Sequence, residues 1–405
     1  MKPIVRAGRM KPVHSDIRGP LFVEAMKRQK QGIDILKLNT GNPATFGFGL
    51  PDSIKNALME HMQDGVGYCD FKGMPQARQA ICDYETSKGI KGITSDDVFI
   101  GNGVSEVVSF ALTPLLNDGD EVLIPSPSYS LWGNSVYLED GKPVFYTCDE
   151  QANWYPDIQD IRSKITDKTK AIVIINPNNP TGVLYPKEIL LEIIQVARES
   201  GLLIFADEIY DRLVMDGKQH ISLASLTEDV PVITLNGLSK SHCLCGYRCG
   251  WMVISGPREL TEDYRQGIIQ LTSLRLCANT MAQIVIPAAL DDMETPASMV
   301  RPGGRIYEQR EATVRELEKI DGLSFVKNDA AFYVFPKLDV KKFNITNDKQ
   351  FAHDLLDVTN ILLVPGSGFD WKDPDHFRIV MLPQADILSD AIRRMGSFLD
   401  GYKQK

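Results

Sequence analysis

Residues 171–207 read AIVIINPNNPTGVLYPKEILLEIIQVARESGLLIFAD, and this stretch decides the fold class. Ala171 to Ile175 is a short apolar run that stops at Asn176-Pro177, the pattern of a buried strand. From Lys187 to Ser200 the apolar residues Ile189, Leu190, Ile193, Ile194 and Ala197 recur at helical spacing, and Gly201 supplies a stop. Leu202 to Ala206 is apolar again. Strand, helix, strand in this order favours a parallel or mixed sheet covered by helices. Val232 to Leu235 and Trp251 to Ile254 continue the series. Ligands of such sheets gather at the carboxyl ends of strands. Asn179, Asp207 and Lys240 each fall just after a predicted strand, so residues far apart in the chain should meet at one edge.

Farther out the pattern changes. Arg305 to Lys319 reads as a charged amphipathic helix. Ala331 to Phe335, Ile361 to Val364 and Phe377 to Met381 read as strands, and Asp386 to Tyr402 as a last helix. A second domain is expected from about Val300 onward.

The chain has 405 residues, 43% hydrophobic and 24% charged, an ordinary composition for a globular protein of one large and one smaller domain. A net charge of -9 offers no basic field for nucleic acid, so none is expected as a partner. The start, MKPIVRAGRMKPVHSD, is basic but has no apolar core behind it, and no apolar run is long enough for a bilayer. No membrane association is expected. The 7 cysteines are irregularly spaced, which suits reduced thiols in the cytoplasm better than a disulfide framework.

Five residues carry the chemistry. Lys240, in TLNGLSK, has an amine that can form an imine with an aldehyde cofactor and then move protons. Asp207 ends the apolar run LLIFAD, where a carboxylate must be paired. It can hold a protonated ring nitrogen, or it can be a helix cap or a structural ion pair. Asn179, in NPNNPTG, and Tyr210, in ADEIYD, can both donate to a ring phenolic oxygen. A plain turn and a packed aromatic are their simpler readings. Arg248 offers a planar fork suited to a dianionic phosphate. One lysine, one carboxylate, one asparagine, one tyrosine and one arginine are what pyridoxal 5'-phosphate needs from a protein.

Further phosphate donors are Gly103, Val104 and Ser105 in GNGVSE, which follows the strand-like Val98-Phe99-Ile100 and opens an apolar stretch. Free amides at a helix start bind phosphate. Ser239 adds a hydroxyl. Tyr129, in PSPSYSLW, can stack on a cofactor ring or pack in the core.

These residues resemble the fold-type I pyridoxal-phosphate aminotransferases of class I/II over nearly the whole chain. GNPATFGFG, GYCDFKGMPQAR, IGNGVSE, PSPSYSLW, NPNNPTG, ADEIYD, NGLSK and the late Arg378 occur in the family's order. DIRGP, LKLNTGNP, IINPNNPTG and TPASMVRPGGR (295–305) resemble the bacterial alanine aminotransferases more closely. The resemblance implies an α/β fold like that of aspartate aminotransferase. Its large domain has a mainly parallel seven-stranded sheet sandwiched by helices, and its smaller α/β domain is built from both chain ends. It divides the chain into an arm and part of the small domain (1–50), a large cofactor-binding domain (51–299) and a small C-terminal domain (300–405).

Residue by residue, it implies that Lys240 holds pyridoxal 5'-phosphate as a covalent imine and that Asp207 meets the pyridine nitrogen. Asn179 and Tyr210 would meet the phenolic oxygen, and Tyr129 the ring face. Gly103, Val104, Ser105, Ser239 and Arg248 would hold the phosphate, joined by Tyr68 reaching across a homodimer whose sites lie at the interface. Arg378 would grip the substrate α-carboxylate beside Gly41 and Asn179. Arg18 would meet the side-chain end of the substrate, or be a solvated charge. The implied reaction is a ping-pong amino transfer between an amino acid and a 2-oxo acid, L-alanine and 2-oxoglutarate foremost. A valine, methionine or aromatic aminotransferase and a carbon–sulfur β-lyase are the alternatives.

Two departures stand out. Ser15 occupies a position where the alanine-specific relatives usually carry an aromatic. Cys243, Cys245 and Cys249 crowd the segment between Lys240 and the strand after Arg248. Packing thiols are expected there, and no metal.

Overall fold

The computed structural model describes residues 2–405. Its large sheet is built from Val98–Asn102 (β1), Glu121–Ser126 (β2), Lys142–Asp149 (β3), Tyr155–Pro156 (β4), Thr169–Ile175 (β5), Leu203–Asp207 (β6), Val232–Gly237 (β7) and Cys249–Ser255 (β8). The spatial order is β1-β8-β7-β6-β5-β2-β3-β4. β3, β2, β5, β6 and β7 pair in parallel. β8 runs against both β7 and β1. The seven expected strands are thus present, and the two-residue β4 adds an antiparallel edge beside β3.

Side chains alternate across this sheet with the strand period of two. Ile172, Ile174, Ile204 and Ala206 enter a core on one face with Leu190, Ile193 and Ile194 of the helix Lys187–Ser200. Ala171, Val173, Ile175 and Phe205 enter a second core with Val108, Leu112 and Trp132. Strands buried on both faces must be covered by helices on both, which is why their sequences read as unbroken apolar runs. The 187–200 helix ends at Gly201 with φ +65°, the left-handed stop its glycine suggests.

A separate core joins Leu38 to Leu317, Phe351, Phe377, Ile379, Leu388 and Ile392. Leu36–Lys37 pairs in parallel with Ile361–Leu362, so the N-terminal segment is woven into the C-terminal part of the chain. The expected strand from Ile361 to Val364 is split. Ile361–Leu362 faces Leu36–Lys37, whereas Val364–Pro365 pairs antiparallel with Phe377–Val380. Leu363 lies between the two pairings, where the chain changes partners. The Ala331 to Phe335 strand shrinks to Tyr333–Val334 against the same Phe377–Val380. Among the described residues no single helix is long and apolar enough to cross a membrane.

Candidate active site

Six of the seven longer strands point the same way, so Asn102, Ser126, Ile175, Asp207 and Gly237 end at one edge. The reversed strand β8 brings its beginning there, and Arg248 precedes it. A cavity of about 620 Å³ opens at this edge. Of the residues singled out above, Arg18, Gly41, Val104, Ser105, Tyr129, Asn179, Asp207, Tyr210, Ser239, Lys240, Arg248 and Arg378 line it.

One end is built for an anion. The helix Val104–Leu112 begins at Gly103 with no side-chain cap, so its first amides are offered outward. Gly103 has φ +83°, and a Cβ there would lie 2.2 Å from Arg248 Nη2. Only glycine lets the guanidinium come this close. A Cβ on Gly250 would lie 2.5 Å from the Val104 amide nitrogen, so the helix start and β8 also need a glycine to touch. Arg248, at φ +56°, is anchored by Nη1 donating to the Cys245 carbonyl at 3.0 Å.

At the cavity floor Asp207 is 6% exposed. Trp132 Nε1 donates to its Oδ2 at 3.2 Å and the Ile209 amide to its Oδ1 at 3.3 Å. Burial pushes its carboxyl up to about 6, against those two hydrogen bonds. Such a carboxylate is held where it favours a cationic partner. Lys240 extends from the short helix Leu238–Ser241, and its Nζ donates to the Gly41 carbonyl at 2.9 Å. Burial opposes its charge, but Tyr333, Cys245 and Tyr129 leave the amine above its usual value. It must therefore lose a proton before its lone pair can attack a carbonyl.

Another part of the wall belongs to Arg378, which is 1% exposed. Its Nη1 donates to Asn179 Oδ1 at 3.0 Å and its Nη2 to the Asn39 carbonyl. Its Nε has no partner. The guanidinium lies between the rings of Tyr333 (4.7 Å) and Phe369 (4.6 Å). Burial lowers its pKa, and none of the groups acting on it is a carboxylate. A buried fork flanked by aromatic faces, with an open Nε, is a receptor for a planar anion.

Tyr333 is one of the site residues that the sequence does not flag. It lines the cavity, and its hydroxyl lies 2.9 Å from that of Tyr210. A Cβ on Gly41 would fall 2.3 Å from the same hydroxyl. The nearest sequence signal was the apolar run at 331–335, which reads only as a strand. Trp132 and Asn39 were missed for the same reason, since each acts through a partner remote in the chain. Tyr68 does not line the cavity and is 83% exposed. Ser15 and Cys245 do line it. Cys243 and Cys249 are buried, and burial pushes both thiols up to about 12. All seven cysteines are free.

Behind the floor lies a buried charge cluster. Lys88 Nζ sits 2.7 Å from Glu85, 2.8 Å from Glu208 and 3.2 Å from Asp211. Asp211 also accepts from Asn236 at 2.7 Å, and Glu208 from Ser222 at 2.9 Å. This network holds the turn that carries Asp207 and Tyr210. Lys88→Ala would leave three buried carboxylates around no cation, and we expect a loss of about 3–5 kcal/mol in chemical denaturation. An unchanged midpoint would remove Lys88 from this role.

The donor set suits pyridoxal 5'-phosphate. An amine, a buried carboxylate and an anion cradle that any Cβ at 103 would fill lie around one cavity, with a second anion receptor at Arg378.

A family model described as aminotransferase class I and II matches residues 33–392. A glutamate-pyruvate aminotransferase of Haemophilus influenzae is 49% identical over 404 residues, covering 100% of both chains. An alanine aminotransferase of Mycobacterium tuberculosis is 45% identical and covers 100% of this chain and 94% of that protein. Among solved structures, an aminotransferase from Escherichia coli aligns with a TM-score of 0.98 at 46% identity over 100% of both chains. An alanine aminotransferase from Pyrococcus furiosus aligns with a TM-score of 0.93 at 40% identity, over 98% of this chain and 100% of that one.

Proposed function

This chain belongs to the class I and II aminotransferases, and we propose that it moves the amino group of L-alanine to 2-oxoglutarate, giving pyruvate and L-glutamate by a ping-pong sequence. The enzyme depends on pyridoxal 5'-phosphate and acts on amino and 2-oxo acids. The observation that carries the reading is that Lys240, Asp207 and Arg378 open into one cavity. The choice of alanine is supported by relatives named glutamate-pyruvate and alanine aminotransferases at 45% identity or more.

Each side chain then has a task. Arg378 grips the α-carboxylate through two parallel N–H bonds, with Asn179 and Gly41 beside it. That grip fixes the Cα–H bond within reach of Lys240 Nζ, which takes the α-proton as a general base and later returns it. Bound pyridoxal 5'-phosphate supplies the electron sink for the pair that the proton leaves behind. Asp207 keeps the ring nitrogen protonated, and Asn179 and Tyr210 donate to the phenolic oxygen. Tyr129, which lines the cavity, would be the aromatic to pack against that ring. Gly103, Val104, Ser105, Ser239 and Arg248 hold the dianionic phosphate. Arg18 meets the distal carboxylate of 2-oxoglutarate and glutamate. The enzyme works in the cytoplasm as a homodimer, Tyr68 of each chain completing the phosphate site of the other.

The test is the absorbance spectrum of the holoenzyme with L-alanine and no oxo acid. Conversion to the pyridoxamine form with stoichiometric pyruvate is the expected result. No change with alanine, but conversion by a larger amino acid, discards alanine as donor. Pyruvate in excess of enzyme from cystathionine, with no acceptor present, points to β-lyase chemistry instead.

A further inference from the structure

Before Arg18 the chain meets the body of the protein through an exposed Arg9–Asp140 pair at 2.9 Å, through Asp16 and Lys349 at 3.3 Å, and through His14. The His14 backbone amide donates to Asn134 Oδ1 at 3.1 Å, and Asn134 Nδ2 donates back to the His14 carbonyl. Its ring lies between two carboxylates, with Nε2 3.2 Å from Asp370 and Nδ1 3.7 Å from Asp16. Both carboxylate side chains are 14% exposed. Residues 2–9, by contrast, are exposed.

The next residues along the arm form part of the cavity wall. Ser15, Ile17 and Arg18 all line it. The arm is seated closely, since a Cβ on Gly368 would lie 2.7 Å from Asp16 Cβ. Asn39 Nδ2 donates to the Ile17 carbonyl at 2.8 Å, while the Asn39 carbonyl accepts from Arg378. Arm position and the α-carboxylate arginine therefore share one residue.

We propose that His14 is a positioning residue for the substrate: its imidazolium, clamped between Asp16 and Asp370, keeps Ser15, Ile17 and Arg18 in the cavity wall. The inference rests on the reading of Arg18 as the contact to the distal carboxylate. The groups around His14 support a cation there. Asp16 comes from the arm itself and is also 3.3 Å from Lys349 of the helix Asp348–Thr359. Asp370 comes from the turn after Val364–Pro365, and its backbone carbonyl accepts from Ser126 at 2.7 Å. The helix Leu131–Leu138 presents the neutral Asn134, and Tyr137, whose phenol faces Asp370. The neighbouring carboxylates, Asp16 at 3.7 Å and Asp370 hydrogen-bonded at 3.2 Å, push His14 up to about 9, against partial burial. The clamp is therefore at full strength below the ordinary histidine value and fails as pH rises through about 9.

The experiment follows KM and kcat of the holoenzyme for 2-oxoglutarate, which has no titrating amine, from about pH 7 to about pH 10. Wild-type KM should be flat around neutral pH and climb through about pH 9, with kcat showing no such limb. His14→Gln should raise KM about tenfold at neutral pH, the worth of a charge-assisted hydrogen bond, and abolish the limb. His14→Lys restores a cation, so it should recover a low KM and move the limb upward. Trypsin should cut the arm faster in His14→Gln than in wild type. A His14→Gln enzyme with the wild-type KM and the wild-type limb would overturn the proposal, as would a loss confined to kcat. If alanine fails as donor while KM for the dicarboxylate still follows residue 14, the substrate reading falls and the clamp stands.

Discussion

Lys240→Ala should slow amino transfer by roughly ten-thousandfold or more, the combined worth of a covalent attachment point and a positioned general base. The argument is geometric. Lys240 Nζ lies 2.9 Å from the Gly41 carbonyl, in the wall of the cavity that Arg378 also lines. Among the residues lining the cavity it is the lone amine. Single-turnover conversion of L-alanine by the reconstituted variant measures the loss. A second readout separates chemistry from misfolding. Hydride reduction of the wild-type holoenzyme should fix the cofactor to the peptide that contains Lys240, and the variant should carry none. A variant that transaminates at the wild-type rate would sink the assignment.

Asp207→Asn should lower kcat by about 10²–10³-fold with KM nearly unchanged, because a preorganised charge beside the ring acts mainly as charge develops. The amide keeps the shape but has a single acceptor oxygen, so it can accept from Trp132 Nε1 or from the Ile209 amide and not from both; the change removes the negative charge together with one of these hydrogen bonds. The same substitution should flatten the pH dependence of the cofactor-free protein's stability around pH 6. The sign follows from burial, which holds the folded carboxyl at about 6, above its ordinary value. A group raised in this way contributes stability that is present below its unfolded value and is lost as pH rises through about 6. A neutral amide avoids that loss, which is on the order of 2 kcal/mol at pH 7. Thermal unfolding of both cofactor-free proteins across this range checks it. A destabilised Asp207→Asn protein with unchanged kcat would make Asp207 a structural ion-pair or capping residue instead.

The large sheet was legible because its strands are buried on both faces. Apolar runs such as Ala171 to Ile175 and the helical spacing from Lys187 to Ser200 are local patterns, and local patterns survive into the fold. The chemistry at the edge was legible for a related reason. Asn179, Asp207 and Lys240 each follow a strand, and parallel strands bring their ends together whatever lies between them. The split at Leu363 was not legible, since the choice between Lys37 and Arg378 as neighbours depends on chain that is far away. Trp132 is 75 residues from Asp207, Tyr333 is 123 from Tyr210, and Asp370 is 356 from His14. No window of sequence contains such pairs.

By itself, the sequence determined the α/β architecture, the order of its main elements and the chemical types that gather at one edge. Periodicity and turn chemistry encode these within a few residues of each other. The tertiary structure alone decided the environments. It set how deeply Asp207 and Arg378 are buried, brought Tyr333 against Gly41 and seated the arm through His14. Burial and long-range contact are properties of the packed chain, and a side chain's pKa and open hydrogen-bonding positions follow from its packed neighbours, whatever residues adjoin it in sequence.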